Sequence, residues 1–323
     1  MPSAQLGTDR AVPPGAGSKF VVAGAGRIGR AVAAELLSQC PGAEVVVISR
    51  RARQPVPGAK HSAVDLSQPE ALASICSGAA GLVNALNPPN YHRWPVEWPP
   101  LMNTLINASR ASGAVLATIS NLYMYGPLDE PITAATPETP SGPKGKVKAE
   151  MWQQVSSLHQ DGELRGLEVR GSDFMDAGAN TIIGLALAGL SKGRAGWYPG
   201  DPTKIHSWTY PADVAATLVA ALLRPEAHGR VWLVPNAPAI SAQQVVADVA
   251  AAGGWPAGRV RGLPGSIVSL AGLFSKLARE SKETAWTRQR NYVADAAQTT
   301  KELGVTFTPW PVQAKAIAAQ LAI

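Results

Sequence analysis

The chain has 323 residues, 46% of them hydrophobic and 16% charged, a balance that supports a substantial core and argues against extensive disorder. Lys and Arg number 29 against 23 Asp and Glu, a net charge of +6, but the basic residues are scattered, which speaks against a nucleic-acid-binding stripe and for an ordinary surface with a few cations spent on an anionic ligand. Cys40 and Cys76 make neither a disulfide framework nor a metal-ligand pattern, so no metal is expected and a reducing, cytoplasmic setting fits.

Residues 1–17 lack the apolar run of a signal peptide and read as a flexible leader. The most apolar stretch, Ile182 to Leu190, is too short to cross a bilayer. Neither a membrane nor a nucleic acid is expected as a partner; a small-molecule substrate is, with a homodimer left open.

Lys19 to Ala23 is a short β-branched apolar run, followed by Gly24-Ala25-Gly26-Arg27-Ile28-Gly29 and then by a helical apolar pattern from Arg30 to Gln39. Strand, GxGxxG and helix in that order give the motif its weight. Gly24 permits the tight turn, Gly26 lets the backbone approach a pyrophosphate, and Gly29 lets the helix close on the strand. The helix N-terminus adds free N–H groups and a positive dipole end. This predicts a dinucleotide site. The next strand, Glu44 to Ile48, runs into Ser49-Arg50-Arg51 in place of the acidic residue that binds a ribose 2′-hydroxyl. A hydroxyl and two guanidiniums, with Arg27 added from the glycine turn, suit a 2′-phosphate, so the expected cofactor is NADP(H).

Ala63-Val64-Asp65-Leu66 reads as the end of a third strand, with Asp65 facing an adenine amino group or capping the helix that begins near Gln68. Ala80 to Ala85 is the fourth strand, and Ala85-Leu86-Asn87 should border the cofactor. Residues 88–100, rich in Pro, Trp and Tyr, read as irregular. A helix over Met102 to Ser112 and a fifth strand over Ala114 to Ile119 follow. The alternation implies an α/β fold: a Rossmann-type doubly wound parallel sheet, with ligands beyond the carboxyl ends of its strands.

The glycine turn, Asp65-Leu66, and Ser120-Asn121-Leu122-Tyr123-Met124-Tyr125-Gly126 together resemble the extended short-chain dehydrogenases, the NAD-dependent epimerase/dehydratase family. The resemblance continues through Arg170-Gly171-Ser172-Asp173-Phe174 and His206-Ser207-Trp208-Thr209-Tyr210 to Asp213-Val214-Ala215. It implies a Rossmann core over 18–175 and, over 176–323, a mixed segment that completes the core and forms a small C-terminal substrate-binding part. It also implies catalysis by Tyr-x-x-x-Lys with an upstream Ser or Thr. Lys148 matches the Lys of that motif, but the Tyr position is Lys144, and none of the six tyrosines has a Lys four residues on. The upstream position falls on Asn121, beside Ser120.

Three readings follow. Tyr123, just past strand five, replaces the missing acid–base group, with Lys148, Ser120 and Asn121 as its companions. Alternatively, the reaction needs little proton transfer, as with an activated alkene or imine. Or the chain binds NADP(H) without catalysis, as regulators resembling the NmrA group do. Asp173 and His206 are secondary acid–base candidates, each with a plain structural alternative.

In the second half, residues 127–146 read as a long loop, Leu167 to Arg170 and Val231 to Val234 as strands, and Pro211 to Leu223 as a helix. Residues 264–279 are amphipathic and are read as packing on the substrate pocket. Trp94, Trp98, Trp197 and Trp208 suggest an apolar pocket wall, hence an oxidoreductase or epimerase-like enzyme for a small, fairly apolar carbonyl or alcohol.

Overall fold

The structure, a computed structural model, describes residues 17–50, 54–66, 68–175, 181–263 and 282–322. Residues 1–16 of the expected leader, Arg51, and the amphipathic stretch at 264–279 lie outside the described residues.

In chain order the strands are β1 (Lys19–Ala23), β2 (Glu44–Ser49), β3 (Lys60–Ala63), β4 (Ala79–Asn84), β5 (Val115–Ser120), β6 (Gly166–Arg170), β7 (Asp173–Phe174), β8 (Gly196–Tyr198), β9 (Ile205–His206), β10 (Trp208–Thr209), β11 (Val231–Leu233), β12 (Ile240–Ser241) and β13 (Val260–Gly262). The helices of the described residues used below are α1 (Arg27–Gln39), α2 (Pro69–Cys76), α3 (Trp94–Ser112), α4 (Pro143–Gln160), α5 (Ile182–Leu187), α6 (Pro211–Leu222), α7 (Ala242–Ala252), α8 (Ala297–Leu303) and α9 (Trp310–Leu321).

Seven strands form one sheet in the order β11-β6-β5-β4-β1-β2-β3, with every neighbouring pair parallel. The strand order reverses between β1 and β4, the switch point where doubly wound sheets bind ligands.

Strand periodicity explains the two layers of helices. Phe20, Val22, Val45 and Val47 enter one core with Val32 and Leu36 of α1 and Val214 and Leu218 of α6. Their alternates Val21, Ala23, Val46 and Ile48 enter the other, with Leu72 of α2, Trp98 and Met102 of α3 and Met151 of α4. Successive side chains point to opposite faces, so a strand apolar at every position needs cover on both. Each fully buried Leu or Val contributes roughly 1.5–3 kcal/mol.

Two expectations need correction. The third strand ends at Ala63, so Asp65 and Leu66 follow it, and the N-cap of α2 is Gln68, whose side chain makes no capping bond. More substantially, α3 begins at Trp94 and runs through Pro95, Pro99 and Pro100. Pro95 stands in the first turn, where its missing N–H costs nothing. Pro99 and Pro100 sacrifice two helical hydrogen bonds. Complete burial of Trp94 and Trp98 offsets that loss, and the Pro100 carbonyl accepts a bond from Thr104 Oγ1 at 3.1 Å.

Beyond β6 the chain alternates between completing this sheet, through α6 and β11, and building a third core from α5, α7, α9, Tyr198 and Trp208. Two-stranded pairings tie the parts together. The β7–β10 pair sets Asp173 opposite Trp208, and the antiparallel β9–β12 pair sets His206 opposite Ile240.

Candidate active site at the strand ends

The glycine turn carries the geometry that a dinucleotide needs. Gly24 has φ +117°, and a Cβ there would stand 2.5 Å from the Ala85 carbonyl oxygen. A Cβ on Gly29 would collide with the Gly24 carbonyl oxygen, which is how α1 closes onto β1. Gly26 caps α1, and a Cβ on it would meet nothing within 4 Å. Packing therefore demands glycine at 24 and 29, whereas at 26 the absent side chain leaves open space at a helix N-terminus, the shape of a pyrophosphate cradle.

At the switch point, Asn84 is fully buried at the end of β4. Its Oδ1 accepts from Leu86 N–H at 3.2 Å, while its Nδ2 has no partner among the described residues. Ser120 Oγ, buried at the end of β5, is likewise without a partner. Orphaned polar atoms flanking an open glycine turn fit a polar ligand laid across these strand ends.

A cavity of about 210 Å³ opens there, lined by Ile28, Ala85, Leu86 and Asn87 on one side and Ser120, Asn121, Tyr123, Lys148 and Asp173 on the other. The structure thus brings the four catalytic candidates, Ser120, Asn121, Tyr123 and Lys148, into one space with Ile28, Ala85, Leu86 and Asn87 of the cofactor set. Ser49, Arg50, Asp65 and Leu66 stand apart from it at the β2 and β3 ends: Ser49 is half-buried, Arg50 and Asp65 are exposed, and Leu66 is buried.

Asn121 directs its Oδ1 to the Tyr123 backbone N–H at 3.1 Å, so it shapes the turn that presents Tyr123. Gly145 of α4 packs so closely that any side chain there would strike the Tyr123 carbonyl. Tyr123 Oη donates to Asp173 Oδ1 at 3.3 Å, and Asp173 Oδ2 stands 3.3 Å from His206 Nε2. His206 stacks on Trp208 with centroids 4.3 Å apart, and Ser172 Oγ lies 3.4 Å from the same nitrogen.

Burial, then the Asp173 charge, pushes the Tyr123 phenol well above its ordinary range, against a smaller opposing pull from Arg288. It is a neutral phenol at physiological pH. Burial pushes the Asp173 carboxyl up, but His206 and then Arg288 together outweigh it and hold the group below its usual range.

Lys148 is 3% exposed, with its Nζ 3.9 Å from the Trp98 ring centroid and 5.1 Å from that of Trp94. Burial pushes its ammonium down to about 8, with Glu168 pulling the other way. The cation acting on Tyr123 is Arg288, which no sequence pattern singled out. Lys144, at the family's Tyr position, is buried, with its Nζ 5.4 Å from the Tyr91 ring centroid and 3.9 Å from Glu283 Oε2.

The expected apolar wall is corrected. Trp98 is core beneath Lys148, Trp208 backs His206, Trp197 is 47% exposed, and of the four only Trp94 lines the cavity. Asn87, Ser120, Asn121, Ser172, Asp173 and Thr181 add polar groups to a lining that is otherwise mostly apolar.

The NAD dependent epimerase/dehydratase family model matches residues 20–234. Comparison with curated proteins finds no match. Among solved structures, dTDP-glucose 4,6-dehydratase from Streptomyces venezuelae with NAD is 16% identical, with 93% of this chain and 96% of that one covered at a TM-score of 0.74. UDP-glucuronic acid 4-epimerase from Bacillus cereus with NAD is 14% identical, with 94% and 96% covered and a TM-score of 0.75. UDP-glucose 4-epimerase from Brucella ovis with NAD is 18% identical, with 94% and 98% covered and a TM-score of 0.72.

These structures hold NAD, not NADP, and are named for nucleoside diphosphate sugars, which overturns the expectations of NADP(H) and of a small, fairly apolar substrate. At the β2 end, Arg27 Nη1 donates to Gln320 Oε1 of α9 at 3.0 Å, Arg50 is exposed, and the Ser49 hydroxyl can serve a ribose hydroxyl. Among the described residues no helix is long and apolar enough to cross a membrane. By the family model and the parallel sheet it describes, the chain belongs to the NAD-dependent epimerase/dehydratase family.

Proposed function

We propose that the chain is an NAD-dependent enzyme that moves a hydride between the cofactor and a hydroxyl-bearing carbon of a nucleoside diphosphate sugar, with Tyr123 handling the hydroxyl proton. One observation carries this reading: the cofactor-side residues Ile28, Ala85 and Leu86 and the proton-bearing pair Tyr123 and Asp173 line a single cavity. A hydride acceptor and a proton acceptor must face the same carbon–oxygen unit, and this cavity brings both sides within one small volume.

Gly26 and the α1 N-terminus would hold the pyrophosphate, Ser49 a ribose hydroxyl, and Lys148, with Ser120, the nicotinamide ribose. When bound, NAD supplies the hydride chemistry. The protein's own part is to hold the substrate hydroxyl at Tyr123, to move its proton, and to keep water out with the Trp94 and Ile183 walls. The polar groups Ser120, Asn121 and Asp173 in the cavity and the NAD-holding solved structures support the cofactor and substrate class.

The test is turnover of UDP- and dTDP-hexoses by the NAD-loaded protein and by its Tyr123→Phe variant. Loss of one hydroxyl should lower kcat by about 10²–10⁴-fold, the usual weight of general acid–base catalysis, with NAD affinity little changed. Undiminished kcat in Tyr123→Phe refutes the assignment.

A further inference from the structure

Tyr123 cannot be the resting base. It is a phenol with its hydrogen already given to Asp173 Oδ1 at 3.3 Å, and burial and the Asp173 charge keep it protonated. To accept a proton from a substrate hydroxyl it must release its own, and the group in line is Asp173.

Resting on the proposed role of Tyr123, we propose that Asp173 is the terminal proton acceptor of the site and that His206 is its positioning residue, so that Tyr123, Asp173 and His206 form a relay in place of the missing Tyr-x-x-x-Lys pair. In the oxidative direction the substrate O–H breaks and a Tyr123 O–H forms. The original Tyr123 O–H breaks and an O–H forms on Asp173 Oδ1. The electron pair of the broken substrate O–H bond becomes the carbonyl π bond as the hydride leaves carbon, and the Asp173–His206 pair ends with one proton more. The reductive direction reverses each transfer.

The surroundings suit this task. Asp173 lines the cavity with a side chain 14% exposed, against 2% for His206 behind it. Asp173 Oδ2 faces His206 Nε2 at 3.3 Å, and that contact favours the ionised carboxylate. Trp208 and Tyr292 fix the ring from two sides, with centroids at 4.3 and 5.1 Å. Among the described residues, the other titratable or charged groups that interact with Tyr123 or Asp173 are Arg288, Tyr91, Tyr198 and Tyr292. Arg288, fully buried, is the fixed cation among them. The acid limb of the rate profile should therefore belong to the Asp173 carboxylate.

The experiment has two readouts. The first, on the intact protein without substrate, follows the Tyr123 ring carbon by NMR through a pH titration in native protein and in Asp173→Asn. The Tyr123 midpoint should fall in the variant, because a carboxylate no longer opposes ionisation. A Tyr123 resonance indifferent to Asp173→Asn overturns the relay.

The second compares pH–rate profiles of native protein, Asp173→Asn, His206→Gln and Tyr123→Phe on the same sugar nucleotide. Asp173→Asn should lose at least about 100-fold in kcat. His206→Gln, which keeps a polar side chain but cannot titrate, should retain more activity than Asp173→Asn, keep its KM, and shift the acid limb. A dead Tyr123→Phe beside a fully active Asp173→Asn, or an unshifted profile in His206→Gln, overturns the relay and leaves the Tyr123 assignment standing. A fully active Tyr123→Phe overturns both.

Discussion

Gly26 and Gly29 sit three residues apart in one turn, yet they should fail in opposite ways. Gly26→Val places a branched side chain where nothing lies within 4 Å, at φ −73° and ψ −176°, which any residue adopts. The cost to the fold is that of a poor N-cap, about 1 kcal/mol. Gly29→Val instead drives Cβ into the Gly24 carbonyl oxygen and against the Ala85 side chain. Because the obstruction is backbone, α1 must move off β1, at the upper end of the overpacking range of about 1–3 kcal/mol.

Ligand binding separates the two further. NAD at 100 times its Kd stabilises the native state by about 2.7 kcal/mol, roughly 5–11 °C in Tm at the 2–4 °C per kcal/mol usual for large domains. Native protein should show that rise. Gly26→Val should melt within a few degrees of native protein without ligand and gain nothing from NAD, while Gly29→Val should melt lower from the start. Thermal unfolding with and without NAD, backed by calorimetric titration, decides it. A Gly26→Val protein that keeps the NAD-dependent rise refutes the placement of the pyrophosphate.

The remaining expectations concern the cofactor and the buried charges. Native protein should bind NADH at least as tightly as NADPH by calorimetry, and Arg50→Ala should change the NADH value by no more than about 0.5 kcal/mol, as befits an exposed charge. Lys148 titrates at about 8 in the fold against an ordinary 10.5, so the folded state binds fewer protons within that window and stability should rise with pH across it. Lys148→Met should therefore gain stability at pH 7, on the order of 3 kcal/mol at most, with the gain fading above pH 10.5 and NAD affinity reduced; urea unfolding across pH measures it. Arg170 is bound to Glu168 at 2.6 Å, Tyr125 at 2.7 Å and Glu138 at 2.6 Å, so Arg170→Met leaves the Glu168 carboxylate buried without its main partner and should cost about 3–5 kcal/mol in urea unfolding.

The Rossmann half was legible because its signals are local. Short, continuously apolar strands, a glycine turn and an amphipathic helix declare themselves within twenty or so residues. The first turns of α3, before Met102, escaped because Pro99 and Pro100 argue against a helix locally, while what stabilises them, the burial of Trp94 and Trp98 under α4, is tertiary. The partner that Arg27 takes in the fold, Gln320, is 293 residues away and leaves no local trace.

Of the site, Tyr123 could be placed from its distance past β5. Its union with Asp173, 50 residues on, and with His206 depends on the short β7–β10 pairing, for which two-residue strands leave no periodic trace. Arg288 lay in no recognisable motif.

The most direct test of the account is the near-ultraviolet absorbance of reduced nicotinamide after mixing NAD-loaded protein with UDP- or dTDP-hexose in a single turnover. Reduced cofactor should appear with native protein and be slowed by about 10²–10⁴-fold with Tyr123→Phe. Bound NAD that stays oxidised with every such sugar, or reduces equally fast without the Tyr123 hydroxyl, would contradict the account.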